Sequence, residues 1–154
     1  MIKFFKLFLP REAKPRKRIE KLSTEGSVYN LQSIFDELNA QYFPDRLNVK
    51  ITWGRQSGEA RYRRRLGSYD RRNQVIRIHP ILDQAHFPPY FISFIVYHEM
   101  LHHAFPPYRG KRGRWEIHHS LFKAKEKLFE DYAAARKWEK ENFKLFFKGT
   151  YGRS

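Results

Sequence analysis

From position 28 the apolar residues Val28, Leu31, Ile34, Phe35, Leu38 and Tyr42 recur at intervals of three and four, the spacing that gathers them on one side of an α-helix. Ser27 is placed to accept a backbone N–H at the start of that helix, and Pro44 closes it. The period then changes: Leu47, Val49, Ile51 and Trp53 alternate with Asn48, Lys50 and Thr52, the pattern of a half-buried strand. After a break at Gly54 to Gly58, residues 61 to 69 read as a second strand, Asp70-Arg71-Arg72-Asn73 as a polar turn, and Gln74 to Ile78 as a third strand. A small, antiparallel-containing sheet is the economical arrangement.

Further on, Phe91, Ile92, Phe94, Ile95 and Val96 are too uniformly apolar for a helix with a wet face, so they predict one buried on most sides, with Pro89 at its start. A turn-rich basic loop over 104 to 113 follows. From Trp115 to Ala135 helical periodicity resumes through Ile117, Leu121, Phe122, Leu128, Phe129 and Tyr132, which predicts one long helix with His118 and His119 near its start. The expected class is α+β, a small sheet packed on an N-terminal helix and two central helices.

At 154 residues the chain suits one domain. The expected organisation is a basic, partly flexible arm over 1–26, a folded domain over 27–135, and a helical extension or basic tail over 136–154. The first ten residues mix aromatics with Lys3 and Lys6; they are too short and too charged to span a membrane and suit packing against the domain better than a membrane surface. No transmembrane segment is expected. The chain contains no Cys, which removes disulfides, Cys-ligated zinc and a thiol nucleophile together, is compatible with a cytoplasmic setting, and leaves His and carboxylates as metal donors.

The formal charge of +15 makes polyanions the first partners to consider. It is unevenly placed: residues 1 to 22 hold eight basic and two acidic side chains, and residues 55 to 77 repeat those counts. Arg61, Arg63, Arg64, Arg65, Arg71 and Arg72 suit nucleic-acid phosphates, with Tyr62 and Tyr69 available for base stacking; the competing reading is a solvated edge strand protected from aggregation by charge.

The chemistry concentrates at His98-Glu99-Met100-Leu101-His102. One helical turn brings His98 and His102 to the same face, where two imidazoles can share an ion, and Glu99 is placed to act on water beside it. This H-E-x-x-H spacing points to a zinc hydrolase with one Zn²⁺. A catalytic site needs a third protein ligand and an open position. Five of the seven His lie between 98 and 119, which makes His118 and His119 the leading candidates, with Glu116 and Glu126 as carboxylate alternatives. The H-E-x-x-H-x-x-G-x-x-H class is rejected, because position 108 is Tyr108 and position 105 is Phe105. His103 points away from the His98 face and is expected to cap or pack; His79 and His86 receive no role.

Over residues 28 to 130 the chain resembles the SprT-like metalloprotease family, which includes the Spartan-type DNA-protein crosslink proteases. Leu31 to Phe43, followed by Leu47 and Ile51-Thr52-Trp53, is similar to that family's opening helix and first strand; Ile76-Arg77-Ile78-His79-Pro80 and the H-E-x-x-H segment are similar to its later strand and zinc helix. His118-His119-Ser120-Leu121-Phe122 matches its His-Gly-x-x-Phe element in the first and last members, with His119 where the family has Gly. The resemblance implies a zincin-like fold, His118 as third ligand with His119 as the alternative, Phe122 in the core behind it, and protein substrates bound to DNA.

The expected activity is zinc-dependent peptide hydrolysis, with Glu99 as general base, Tyr108 or Arg109 stabilising the transition state, and extended substrate added along the edge at 61 to 69. The alternatives are a basic nucleic-acid-binding protein whose metal is structural, its fourth ligand being His119 or Glu116, and a zinc hydrolase of a non-peptide substrate. Oligomeric state is left open.

Overall fold

The computed structural model of the chain describes residues 21–55, 66–142 and 144. The first helix, α1, spans Leu31–Tyr42. It begins later than the apolar spacing suggests because Asn30 takes the capping role, its Oδ1 accepting from the Ser33 N–H at 3.0 Å. Ser27, Val28 and Tyr29 instead turn their N–H groups onto the Asp83 carboxylate, at 2.6, 2.8 and 3.0 Å. Burial opposes ionisation of Asp83, but these three donors outweigh it and hold its pKa below the ordinary carboxylate range.

Three short strands follow: β1 (Lys50–Trp53), β2 (Gly67–Asp70) and β3 (Val75–Ile78). β2 and β3 form the antiparallel hairpin that the polar turn predicts, whereas β1 joins β3 in parallel, Ile51 opposite Ile76, so the sheet is mixed with order β1-β3-β2. β3 is therefore central, and Val75, Ile76 and Ile78 are buried, while β2 is an edge. Across the sheet lies α2 (Pro89–Ala104), which begins at Pro89 as expected and packs against α1, β2 and β3. Phe91, Ile92, Val96, Met100 and Leu101 on it are essentially inaccessible to solvent. A helix wrapped on so many sides has to be apolar all round, which is why this segment shows no polar stripe.

The expected long helix from Trp115 to Ala135 is not one element. Trp115–Glu116 is a strand, β5, paired antiparallel with β4 (Tyr108–Arg109); then come α3 (Ser120–Glu126) and α4 (Tyr132–Asn142). The chain unwinds at 127–131, where two tyrosine hydroxyls bond the backbone: Tyr97 donates to the Lys125 carbonyl at 2.7 Å and Tyr42 accepts from the Glu130 N–H at 3.0 Å. The break lets Phe129 bury against Tyr42, Tyr97 and Phe94, while Leu128 beside it stays exposed.

Residues 21–26 and 136–142 both belong to the folded body. Ser23 is stitched to β1 through the Thr52 hydroxyl and the Trp53 N–H, and on α4 Trp138 packs against Phe91 with ring centroids 4.5 Å apart. Residues 136–142 continue α4; the rest of the segments 1–26 and 136–154 lies outside the described residues, apart from Lys144. The architecture is α+β, and no helix among the described residues is long and apolar enough to cross a membrane.

Candidate metal centre

Helical spacing on α2 stacks His98 below His102, and the end of β5 delivers His118 to them from the next segment. The ring nitrogens converge: His98 Nε2 and His102 Nε2 lie 3.2 Å apart, and His102 Nε2 and His118 Nε2 are also 3.2 Å apart. Tetrahedral zinc at its usual distance to imidazole nitrogen would separate its donors by about 3.3 Å, so this donor set fits zinc in both chemistry and spacing. Behind the cluster sits Phe122, completely buried, its ring centroid 5.1 Å from His98, 4.8 Å from His102 and 4.9 Å from His118. One apolar ring thus backs all three imidazoles.

The far side of His98 is held as well. Its Nδ1 is 2.6 Å from Glu126 Oε1 at the end of α3. Burial works against a charge on Glu126, yet the bond to His98 and the nearby Arg136 hold its pKa below the ordinary value. An ionised carboxylate there fixes the tautomer with the proton on Nδ1, leaving Nε2 as a lone-pair donor toward the cluster. Burial also lowers the pKa of His102 to about 3, reinforced by His98 and His118, and lowers that of His118 in the same way. Both rings are neutral donors at pH 7.

His119 is a neighbour of this group and not a member of it. Its Nδ1 accepts from the Phe122 N–H at 3.3 Å, capping α3, and its Nε2 donates to the Pro106 carbonyl at 3.3 Å. Both nitrogens are engaged and the residue is buried. Glu116 stands apart too, receiving the Tyr108 hydroxyl at 3.0 Å. Among the described residues, the group able to share one ion is His98, His102 and His118.

The three histidines line a cleft of about 910 Å³ whose floor is α2, with β2 as one wall and Ile117, Glu126 and α4 as the other. Glu99 projects into it, 6 % exposed. Gly67 of β2 lies directly over this side chain: a Cβ at that position would stand 2.7 Å from Glu99 Cγ and 2.8 Å from its Oε1. The absence of a side chain at 67 is what lets the edge strand and the carboxylate share the space.

Other expected site residues fall elsewhere. Tyr108 and Arg109 sit on the β4-β5 hairpin, the hydroxyl bonded to Glu116 and the guanidinium over the Trp115 ring at 5.0 Å; neither is among the residues that line the cleft. Arg71 and Arg72 are exposed in the hairpin turn, where Arg71 donates to the His102 carbonyl at 3.2 Å, a cation at a helix C-terminus. The Tyr69 hydroxyl bonds His103 Nδ1 at 2.7 Å, with the two rings edge to face, which gives His103 its packing role. Arg61, Tyr62, Arg63, Arg64 and Arg65 lie outside the described residues. Glu126, expected as an alternative carboxylate ligand, instead bonds the far side of His98, and Gly67 is a contribution that residue spacing did not single out.

No protein-family model matches the chain, and no curated protein matches it. Among solved structures it is similar to the crystal structure of the metallopeptidase zymogen jannalysin from Methanocaldococcus jannaschii, with a TM-score of 0.53 and 14 % identity over 76 % of this chain and 98 % of that one. At that identity the likeness speaks for the fold, which is α+β and zincin-like.

Proposed function

We propose that the protein is a zinc-dependent peptidase in which His98, His102 and His118 hold one Zn²⁺ and Glu99 is the general base. The observation that carries this reading is the convergence of three imidazoles, His102 Nε2 lying 3.2 Å from the Nε2 of both His98 and His118, in a cleft that also receives the buried Glu99 carboxylate. When bound, the ion supplies Lewis-acid polarisation of a scissile carbonyl and makes water acidic enough to attack near neutral pH. The chain does the rest. Glu99 takes the proton of the attacking water and passes it to the departing amine. Glu126 keeps the His98 ring in one tautomer and one orientation. The outer edge of β2 borders the cleft, and an extended peptide laid along it would add a strand to the sheet, bringing its backbone past Glu99.

A structural metal site would be closed by a fourth protein ligand. The two candidates for that position, His119 and Glu116, are both engaged elsewhere, which supports the open, hydrolytic reading over the binding-module reading. Within the peptidases, the H-E-x-x-H helix, His118 and a buried Phe122 four residues later support the SprT-like assignment. The charge of +15 supports nucleic acid as the place where substrates are met. The test is a metal-content measurement and a peptide-hydrolysis assay on wild type, Glu99→Gln, His118→Ala and His119→Ala. Glu99→Gln should keep the metal and lose hydrolysis; His118→Ala should lose the metal and His119→Ala should keep it. A DNA-binding titration against salt addresses the polyanion, where a flat response would remove it.

A further inference from the structure

The lining of the cleft carries three cations, Arg71, Arg136 and Lys140, against three carboxylates, Glu99, Glu126 and Glu139. None of the carboxylates can draw in a positively charged substrate side chain without disturbing the site. Glu126 is bound to His98 at 2.6 Å, Glu139 is paired with Arg136 at 2.8 Å, and Glu99 is buried under Gly67. Lys140, one turn beyond Arg136 on the same face of α4, is exposed and makes no ion pair among the described residues. Arg71 occupies the opposite end, beyond β2. A divalent ion at the histidines would add two positive charges to this balance, so the loaded cleft is net cationic at both ends while its floor, Phe94 and Ile95, is apolar.

Resting on the peptidase reading, we propose that the cleft selects acidic peptides: Lys140 and Arg136 on one side and Arg71 on the other receive Asp or Glu side chains flanking the scissile bond. Charge complementarity at partly screened range is the physical basis, and the chain's overall charge reinforces it by drawing anionic polypeptides in and repelling basic ones. Substrates rich in Lys and Arg are correspondingly disfavoured.

The experiment uses the full-length protein and one peptide scaffold carrying Asp/Glu, Asn/Gln or Lys at the positions flanking the bond, read in two ways: kcat/KM of the zinc-loaded protein, and fluorescence anisotropy of labelled peptides on Glu99→Gln with and without zinc. Acidic peptides should exceed neutral ones by tenfold or more at low salt in both readouts, with the gap narrowing as salt rises. The double variant Arg136→Glu, Lys140→Glu should invert the order toward Lys peptides, and the single variant Lys140→Glu, which breaks no ion pair among the described residues, should move the order the same way with zinc stoichiometry and thermal melting unchanged. Equal values for acidic and neutral peptides, or an order that the double variant leaves unmoved, would overturn the proposal. If no peptide is cleaved, the peptidase reading fails, and the anisotropy arm still decides whether the cleft prefers anionic ligands.

Discussion

Gly67→Ala is the substitution that most directly exposes the coupling between the sheet edge and the general base. Ordinary contact at a Cβ begins near 3.4 Å, and the new methyl would lie 2.7 Å from Glu99 Cγ, so about 0.7 Å of separation has to be found. β2 resists giving it, because Gly67 is held in register opposite Ile78 on the buried central strand. Gly67 is also not among the residues with positive φ, so the alanine brings no backbone strain of its own. The side chain of Glu99 yields instead, and a misplacement approaching 1 Å at a catalytic group costs on the order of 10²-fold in rate. Steady-state kcat/KM on a cleaved peptide should fall by about that factor while zinc stoichiometry stays at the wild-type value, since no histidine is touched. Glu99→Asp retracts the carboxylate from the same space, so adding Gly67→Ala to it should cost far less than it does in the wild type, a non-additivity that a double-mutant cycle measures. A Gly67→Ala protein with wild-type rate and full zinc would refute the reasoning.

Glu126→Gln removes the charge that orients His98, and zinc affinity by chelator competition should weaken by about 10- to 100-fold; an unchanged affinity would show that the 2.6 Å contact does not tune the site. Because the pKa of His102 is depressed to about 3 from an unfolded value of 6.5, the native state resists a proton that the unfolded chain accepts. Thermal melts of the metal-stripped protein should therefore hold their stability above pH 6.5 and lose it as the pH falls from there toward 3, and a His102→Gln variant should show a shallower loss. Asp83→Ala removes the common acceptor of three backbone N–H groups, two of them open to water, and should destabilise the fold by about 1–2 kcal/mol in denaturant titration, with Asp83→Asn costing less.

The elements that periodicity reveals are those whose burial is one-sided or complete. α1 shows itself by a repeating apolar face, and α2 by the lack of a polar one. The pair His98 and His102 is legible for the same reason, since a single helical turn fixes their relation. What spacing could not settle is the choice between His118 and His119. That depends on the chain still being in a strand at 115–116 and entering α3 only at Ser120, so that 118 points into the cleft and 119 becomes the cap. The break at 127–131 was hidden because the apolar residues on either side keep a helical phase, and the interruption is stabilised by Tyr42 and Tyr97, distant in sequence. The parallel pairing of β1 was equally out of reach, as short strands carry no mark of their neighbour's direction. Spacing also gives no sign that Arg71 and Tyr69, expected at a nucleic-acid face, bond His102 and His103 on an element more than thirty positions away.

The ring of Phe122 behind the three imidazoles has a thermodynamic consequence. Ligands already gathered by a solid apolar backing lose little further freedom when an ion arrives, so loading and stripping should be reversible without a folding transition, unlike small domains that are assembled by their metal. The same backing sets the bore of the socket: donors 3.2 Å apart suit a small ion content with four neighbours, and calcium, which wants six to eight oxygens at longer range, has no comfortable seat there.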